Sequence, residues 1–338
     1  MKKDSLVIVT GATGFIGSNV LNALESCGYC HIVCCDNFGC GHKWKNVAKR
    51  SLVHYIQPEQ IHDFLNDHVA QIAAIIHLGA ISSTTERNVD AIVVNNIQLT
   101  IQLYNYCRDH HVQFIYASSA ATYGDGSNGF RDCDDMDYLG KLAPLNPYGW
   151  SKHTVDKYLM SHQAARKAQN QVVGLKFFNV YGPNEYHKQD QVSVIFKFYN
   201  EIQDTGNVNL FKSYRDGCPD GQQKRDFVFV QDCVDVIMWM LDHPDVSGIF
   251  NVGTGHARSF KDVADLVIKY SGKDSTVTFI DMPEQLKEYY QYFTQADIQK
   301  LRNVGYQKPM TTLEDGIRIY INEYLKTRNK FRYEPDYI

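Results

Sequence analysis

Leu6-Val7-Ile8-Val9 runs directly into Thr10-Gly11-Ala12-Thr13-Gly14-Phe15-Ile16-Gly17, and apolar residues at helical spacing follow from Ile16 to Leu24. A short, wholly apolar run suits a strand buried on both faces, the kind found in parallel sheets. Glycines at the strand–helix junction permit a tight turn and close approach of another group to the backbone. The helix that opens there offers unpaired N–H groups and the positive end of its dipole, which together form an anion site. Asp36 closes the next apolar run, His31 to Cys35, 19 residues beyond Gly17. A carboxylate so placed accepts from ribose hydroxyls. Gly11, Gly14, Phe15, Ile16, Gly17, Asp36 and Asn37 therefore read as a dinucleotide site.

The rest of the chain repeats the alternation. Strands are expected at Ala73–Leu78, Phe114–Ala117 and Val172–Phe178, with helices from about Val89 to Arg108 and from Tyr148 onward. His110-His111 falls at a helix end. This order predicts an α/β fold, a Rossmann-type doubly wound parallel sheet. After Asn179 the rhythm loosens, with turns over 182–225, one amphipathic stretch near Val192–Ile202 and a capped helix from Ser259 to Tyr270. We expect a dinucleotide-binding domain of residues 1–178 plus 226–255. A smaller mixed α/β substrate lobe would comprise 179–225 plus 256–338, ending in a polar, loose tail from Lys326.

Charge and composition remove several classes. The net charge of -4 comes without a basic block, which argues against nucleic acid as a partner. No apolar run approaches the ~18 residues of a membrane span. Met1-Lys2-Lys3-Asp4-Ser5 leads straight into the first strand with no signal-peptide pattern. Of the nine cysteines, Cys34 and Cys35 sit in an apolar run, and reduced thiols and a cytoplasmic location are expected. No HExxH pair occurs, and no metal site is expected.

Tyr148-Gly149-Trp150-Ser151-Lys152 places a phenol and an ammonium on one helix face, a turn apart. Moving a tyrosine from its usual pKa of ~10 to near 7 takes about 4 kcal/mol. A cation at ~4 Å supplies ~4 kcal/mol at an effective dielectric of ~20. Lys152 is thus of the right size to make Tyr148 a proton-transfer group. Tyr116-Ala117-Ser118-Ser119 ends the preceding strand. Strand ends line the ligand crevice of a doubly wound sheet, so Ser119 would hydrogen-bond the reacting oxygen.

The glycine spacing is GxxGxxG, and with Tyr148-x-x-x-Lys152 it resembles the extended short-chain dehydrogenase/reductase family of NAD(P)-dependent epimerases, over nearly the whole chain. The resemblance implies one tightly bound nicotinamide dinucleotide per subunit, expected to be NADP, with NAD the other possibility. Leu78, Gly79, Ala80, Ile81, Ser82, Asn95 and Val180 would line it. Lys43 favours NADP and Asp36 favours NAD; a second basic position of the family aligns with Gln57 or Pro58, leaving NADP to Lys43. Family dehydratases carry an Asp-Glu pair after the serine. Ala120, Ala121 and Thr122 stand there instead, which argues against elimination.

Further segments resemble the branch of the family that epimerises ADP-linked heptoses at C6″, in the supply of lipopolysaccharide-core precursors. They include Gly79 to Glu86, Phe178 to Lys188, Leu210 to Ser213, Lys224 to Val228 and Tyr290 to Asp297. By that resemblance Lys188 is a second acid/base, serving the epimer that Tyr148 does not, and it also borders the cofactor. By spacing alone, Lys188 is a phosphate-binding or surface lysine. The implied substrate contacts are Ser82, Ser119, Asn179, Asp190, Lys197, Phe211, Lys212, Ser213, Tyr214, Arg225 and Tyr290. Arg225 would clamp a diphosphate; the alternative is an ion pair with Asp226 or Asp232. Asp190 would need a cationic partner, Lys197 or Arg215. The resembled enzymes are homo-oligomers, pentamers in the heptose branch. A UDP-hexose 4-epimerase and a catalytically silent cofactor sensor are the other readings.

Overall fold

A computed structural model of the chain describes residues 1–165, 170–287, 290–328 and 330–332. Its elements begin with β1 (Leu6–Thr10), α1 (Phe15–Ser26), β2 (Ile32–Cys35), β3 (His54–Ile56), α2 (Ile61–Asp67) and β4 (Ile72–His77). Next come α3 (Val89–Ile92), α4 (Leu99–Asp109), β5 (Gln113–Ser119), α5 (Met136–Leu139), α6 (Pro147–Ala165), β6 (Val172–Phe177) and β7 (Asn179–Tyr181). The remainder includes α7 (Val194–Thr205), β8 (Asn207–Phe211), β9 (Lys224–Phe229), α8 (Val230–Asp242), β10 (Gly248–Val252), β11 (Ala257–Ser259), α9 (Phe260–Ser271) and β12 (Thr276–Ile280).

Seven strands pair in parallel in the order β10-β6-β5-β4-β1-β2-β3. The order reverses direction at β1 and β4, and a doubly wound sheet binds its ligand where the order reverses. Alternate residues of β1 enter opposite cores. Leu6 and Ile8 pack with Leu103 of α4 and Val155 and Leu159 of α6, whereas Val7 and Val9 pack with Leu21 of α1 and Ile237 of α8. Period-2 alternation between two apolar layers is the physical content of the continuous hydrophobic run in β1. A third core, with Ile195 and Phe198 of α7 and Val263 and Val267 of α9, lies under two small sheets, β11-β9-β7 and β12-β8.

Two expectations change, and one strand was not expected. The helix from Val89 to Arg108 is interrupted by a π-helical turn over Val93–Gln98. The three-residue segment His54–Ile56 forms the edge strand β3, too short and too exposed to show a hydrophobic pattern. Residues 182–225 contain β8 and the start of β9 in addition to turns and α7. Ser259 does cap α9, in a reciprocal box with Asp262. The polar tail from Lys326 lies partly outside the described residues.

Candidate active site

The glycine turn is closed by contact with the loop after β4. Gly11 has φ +63°, and a Cβ there would stand 2.6 Å from the Gly79 amide nitrogen. A Cβ on Gly17 would stand 2.2 Å from the Gly11 carbonyl oxygen. Only glycine fits either place. Gly14 caps α1 with no side-chain hydrogen bond, and the first turn has no acidic residue. The N–H groups at that helix end and their dipole are thus left for an anion, which fits the pyrophosphate of a dinucleotide. Asp36, buried at the end of β2, accepts from Thr13 N at 2.9 Å and Thr13 Oγ1 at 2.6 Å. Lys43 donates to Asp36 Oδ1 at 2.7 Å and to the Asn37 carbonyl at 2.9 Å.

Two buried side chains hold this crevice together, and sequence reasoning had passed over both. His77, at the end of β4, lies 2.7 Å from Thr10 Oγ1 and 2.9 Å from Thr100 Oγ1. Thr10 Oγ1 in turn accepts from Gly79 N at 3.1 Å, so strand, turn and loop form one unit. Burial, with Lys152 next in effect, pushes the His77 imidazole down to about 3, so it stays neutral. Asn96, in the π-helical turn, accepts from Ile81 N at 2.9 Å and donates to the Ile81 carbonyl and to Ser151 Oγ, both at 3.0 Å. It thereby ties the Leu78–Ser82 loop to α6. Its neighbour Asn95 donates to its own helix at Ala91 O, 2.8 Å away. A histidine inside an apolar strand was the available signal for His77. Asn96 had none.

Ser119 ends β5, and its hydroxyl is hydrogen-bonded with that of Tyr148, the second residue of α6. Helix and strand end meet closely because residue 149 is glycine: a Cβ there would lie 2.7 Å from Ala121 O. Lys152, a turn further, is buried. Burial pushes the Tyr148 phenol up, the Ser119 bond pulls it down, and the Asp156 charge raises it. The depression expected from Lys152 is therefore not what these side chains give by themselves: desolvation of the phenolate outweighs it. Burial also lowers Lys152 to about 8, against the opposing effect of Asp156.

The Lys188 segment packs on α1. Asn19 Nδ2 donates to Pro183 O at 3.0 Å, Asn184 Nδ2 to Ser18 Oγ at 3.0 Å, and Lys188 Nζ stands 5.5 Å from the centre of the Phe15 ring. Burial lowers the Lys188 ammonium, and the buried carboxylate of Glu185 acts the other way. Ser82 Oγ donates to Gln191 Oε1 at 3.3 Å, so the same segment reaches the β4 loop. Val180, half-buried on β7, borders the dinucleotide-side core. Asp190 and Lys197 are exposed, and among the described residues neither Lys197 nor Arg215 pairs with Asp190.

Arg225 is buried, with its guanidinium carbon 5.2 Å from the Tyr290 ring centre and 5.7 Å from that of Phe260. Its Nη1 donates to the Lys224 carbonyl at 2.9 Å. Among the described residues no carboxylate pairs with it. Asp226 is taken up by Thr254, Gly255 and Ala296, and Asp232 by Thr311. The ion-pair alternative thus fails, and a buried cation without a counter-ion fits an anionic ligand. Phe211 ends β8. The next residues are tied to one another and to Asp281: Lys212 Nζ at 3.1 Å, Tyr214 OH at 2.9 Å, and Ser213 N to Asp220 at 2.7 Å. Tyr214 N donates to Tyr292 OH at 3.1 Å, and the Tyr292 ring meets Tyr290 edge-on, so this loop adjoins Arg225 through Tyr290. Asn179 stands exposed at the start of β7.

Residues 7–253 match the model of the NAD dependent epimerase/dehydratase family. Over 334 residues the chain is 42% identical to an ADP-L-glycero-D-manno-heptose-6-epimerase of Fusobacterium nucleatum, covering 96% of this chain and 100% of that one. It is 44% identical to the protein of that name from Nitratidesulfovibrio vulgaris, covering 96% and 100%. The crystal structure of the Helicobacter pylori protein of that name superposes with a TM-score of 0.77 at 28% identity, covering 95% of this chain and 96% of that one. The glycine turn, Asp36 and the Ser119–Tyr148–Lys152 cluster all fall inside the matched span. The chain belongs to the NAD dependent epimerase/dehydratase family.

Proposed function

We propose that the chain is an isomerase that interconverts ADP-D-glycero-β-D-manno-heptose and ADP-L-glycero-β-D-manno-heptose by inverting C6″. The names of its near full-length relatives support this. The observation that carries it is Lys188 beside Phe15, 5.5 Å from the ring centre, on a different element from the one bearing Tyr148. On this reading one crevice has two proton-handling groups, Tyr148 and Lys188.

A bound nicotinamide supplies the place where hydride is parked and from which it returns. Tyr148 takes the proton of the C6″ hydroxyl while Ser119 holds the same oxygen. The Lys152 ammonium, on the same helix face, favours the phenolate as it forms. Inversion needs the resulting ketone to turn over, because hydride returns from the same side of the pocket. Its oxygen then lies away from Tyr148, and Lys188 donates the proton there. Partial desolvation of the Lys188 ammonium eases that release.

Arg225 holds the diphosphate, Tyr290 and Asn179 flank the sugar, and Phe211 to Tyr214 face the adenosine. The protein works as a cytoplasmic homo-oligomer in the supply of lipopolysaccharide-core precursors, with one dinucleotide held tightly per subunit. A 2′-phosphorylated cofactor would depend on Lys43.

The test is to mix purified protein with ADP-D-glycero-β-D-manno-heptose in deuterated water, without added cofactor, and to resolve the C6″ epimers. Both epimers should appear, with no deuterium on carbon. Deuterium at C6″ or C7″ would remove the hydride route. Turnover of UDP-hexoses in place of the ADP-heptose would redirect the reading to a 4-epimerase.

A further inference from the structure

The turn that carries Lys188 has an unusual backbone. Asn184 enters it in the left-handed region at φ +75°, and Gln189 follows Lys188 at φ +50°. Such conformations persist only where the surroundings fix them. The buried Glu185 carboxylate provides one anchor: it accepts from Gly182 N at 3.3 Å, Ser193 Oγ at 2.7 Å and Tyr320 OH at 2.9 Å. Asn46, from the segment after β2, provides another, its Nδ2 donating to the Asn184 carbonyl at 3.1 Å.

A third anchor comes from the far end of the chain. Arg332 N donates to Asn184 Oδ1 at 3.0 Å, and the Lys330 carbonyl accepts from Tyr186 OH at 2.5 Å. The Phe331 ring meets the Tyr186 ring edge-on with centres 5.4 Å apart, and the Lys330 ammonium stands 4.8 Å from the Tyr186 ring centre. Three successive tail residues therefore seat on the two residues that flank Glu185. An asparagine side chain has one acceptor oxygen and one donor nitrogen. The tail takes the oxygen of Asn184, and Ser18 of α1 takes the nitrogen at 3.0 Å. Asn184 thus joins the tail to the helix that begins with Phe15, the ring beside Lys188 Nζ. Tyr148 is placed by other contacts, the Ser119 hydroxyl and the close approach of Gly149 to Ala121.

We propose that the C-terminal segment Lys330–Arg332 is a positioning element for Lys188, acting on proton transfer at one C6″ epimer and not at the other. The proposal rests on the reading above that Lys188 is the second acid/base. A lysine ammonium is a point charge on a flexible four-carbon stem, so the turn beneath it decides where it stands. A misplacement of about 1 Å can cost a reacting group ~10²-fold in rate. Each epimer gives its C6″ hydroxyl proton to its own base and its C6″ hydride to the oxidised nicotinamide, leaving a ketone and a reduced nicotinamide. The rate of nicotinamide reduction by each epimer therefore reports each base separately.

The test is stopped-flow absorbance of the reduced nicotinamide after mixing the holoprotein with either C6″ epimer of the ADP-heptose. Four proteins are compared: the parent, a chain ending at Arg328, the full-length Arg332→Pro variant and Lys188→Met. Proline lacks the N–H that Asn184 accepts, so Arg332→Pro removes one tail contact from an otherwise complete chain. Lys188→Met should slow reduction by one epimer only. The shortened chain should slow reduction by that same epimer about tenfold or more, with the other epimer within about twofold of the parent. Arg332→Pro should act in the same direction and less strongly. Equal slowing with both epimers would make the tail a general brace and overturn the proposal, as would unchanged rates in the shortened chain and Arg332→Pro. If Lys188→Met itself slowed neither epimer, the second acid/base reading would fall and the proposal with it.

Discussion

Lys176 Nζ stands 3.3 Å from Asp156 Oδ2, with side chains only 1% and 0% exposed. Lys176 also donates to Thr122 Oγ1 at 2.8 Å, and Asp156 accepts from Ser118 Oγ at 2.8 Å and Tyr116 OH at 3.0 Å. The pair lies under the reaction centre and joins β6, the turn after Ser119 and the helix of Tyr148 and Lys152. Lys176→Met leaves the Asp156 charge buried and unpaired, and should cost about 3–5 kcal/mol of stability. Asp156→Asn in the same chain should recover part of that loss. Denaturant unfolding of both single variants and the double variant measures the coupling.

Tyr148→Phe keeps the ring and removes the hydroxyl shared with Ser119. Turnover should fall by about 10²–10⁴-fold, the usual contribution of a positioned proton-transfer group. Dinucleotide affinity should change little. Unchanged turnover would remove Tyr148 from the chemistry.

Arg225 carries a buried charge that no carboxylate neutralises among the described residues. Burial accordingly lowers its pKa, with Tyr290 acting in the other direction. Arg225→Met should leave the ligand-free protein as stable as the parent or more so, while raising KM for the nucleotide sugar about tenfold or more. A structural ion pair would give the opposite: lower melting temperature, ordinary KM.

Lys152 is lowered to about 8, mainly by burial. It is a cation below that pH and loses its charge above it. Activity should therefore fall on an alkaline limb near pH 8. Lys152→Arg keeps the charge to far higher pH, so the limb should disappear even though the rate is lower. A limb that stays in place belongs to another group.

His153 is buried, and burial lowers its imidazole to about 4; His187 is lowered similarly and His77 to about 3. The unfolded chain takes up these protons below about pH 6.5, and the folded protein refuses them until lower pH. Their contribution to stability is thus present above 6.5 and lost as pH falls toward 4. Asp132 and Asp232, raised to about 6 by burial, act in the other direction. His153→Leu removes one histidine contribution, so stability should fall less steeply between pH 6.5 and 4 than in the parent. Unfolding midpoints across that range read the difference.

By itself the sequence determined the β1–glycine turn–α1 unit, Asp36, the Ser119, Tyr148 and Lys152 triplet, and the alternation that builds the sheet. These are legible because their signals are local: a period-2 or period-3.6 pattern, a glycine at a turn, two residues one helical turn apart. Only the tertiary structure decided that Lys188 stands beside Phe15, that Arg225 has no carboxylate, that Lys43 is bound to Asp36, and that His77, Asn96 and Lys176 brace the site. It also decided that burial drives the Tyr148 phenol upward, against the estimate from Lys152 alone. Each of these depends on groups far apart in the chain and on the solvent they exclude together. A carboxylate's partner or an ammonium's desolvation is a sum over everything that packs around it, and that sum exists only once the chain has folded.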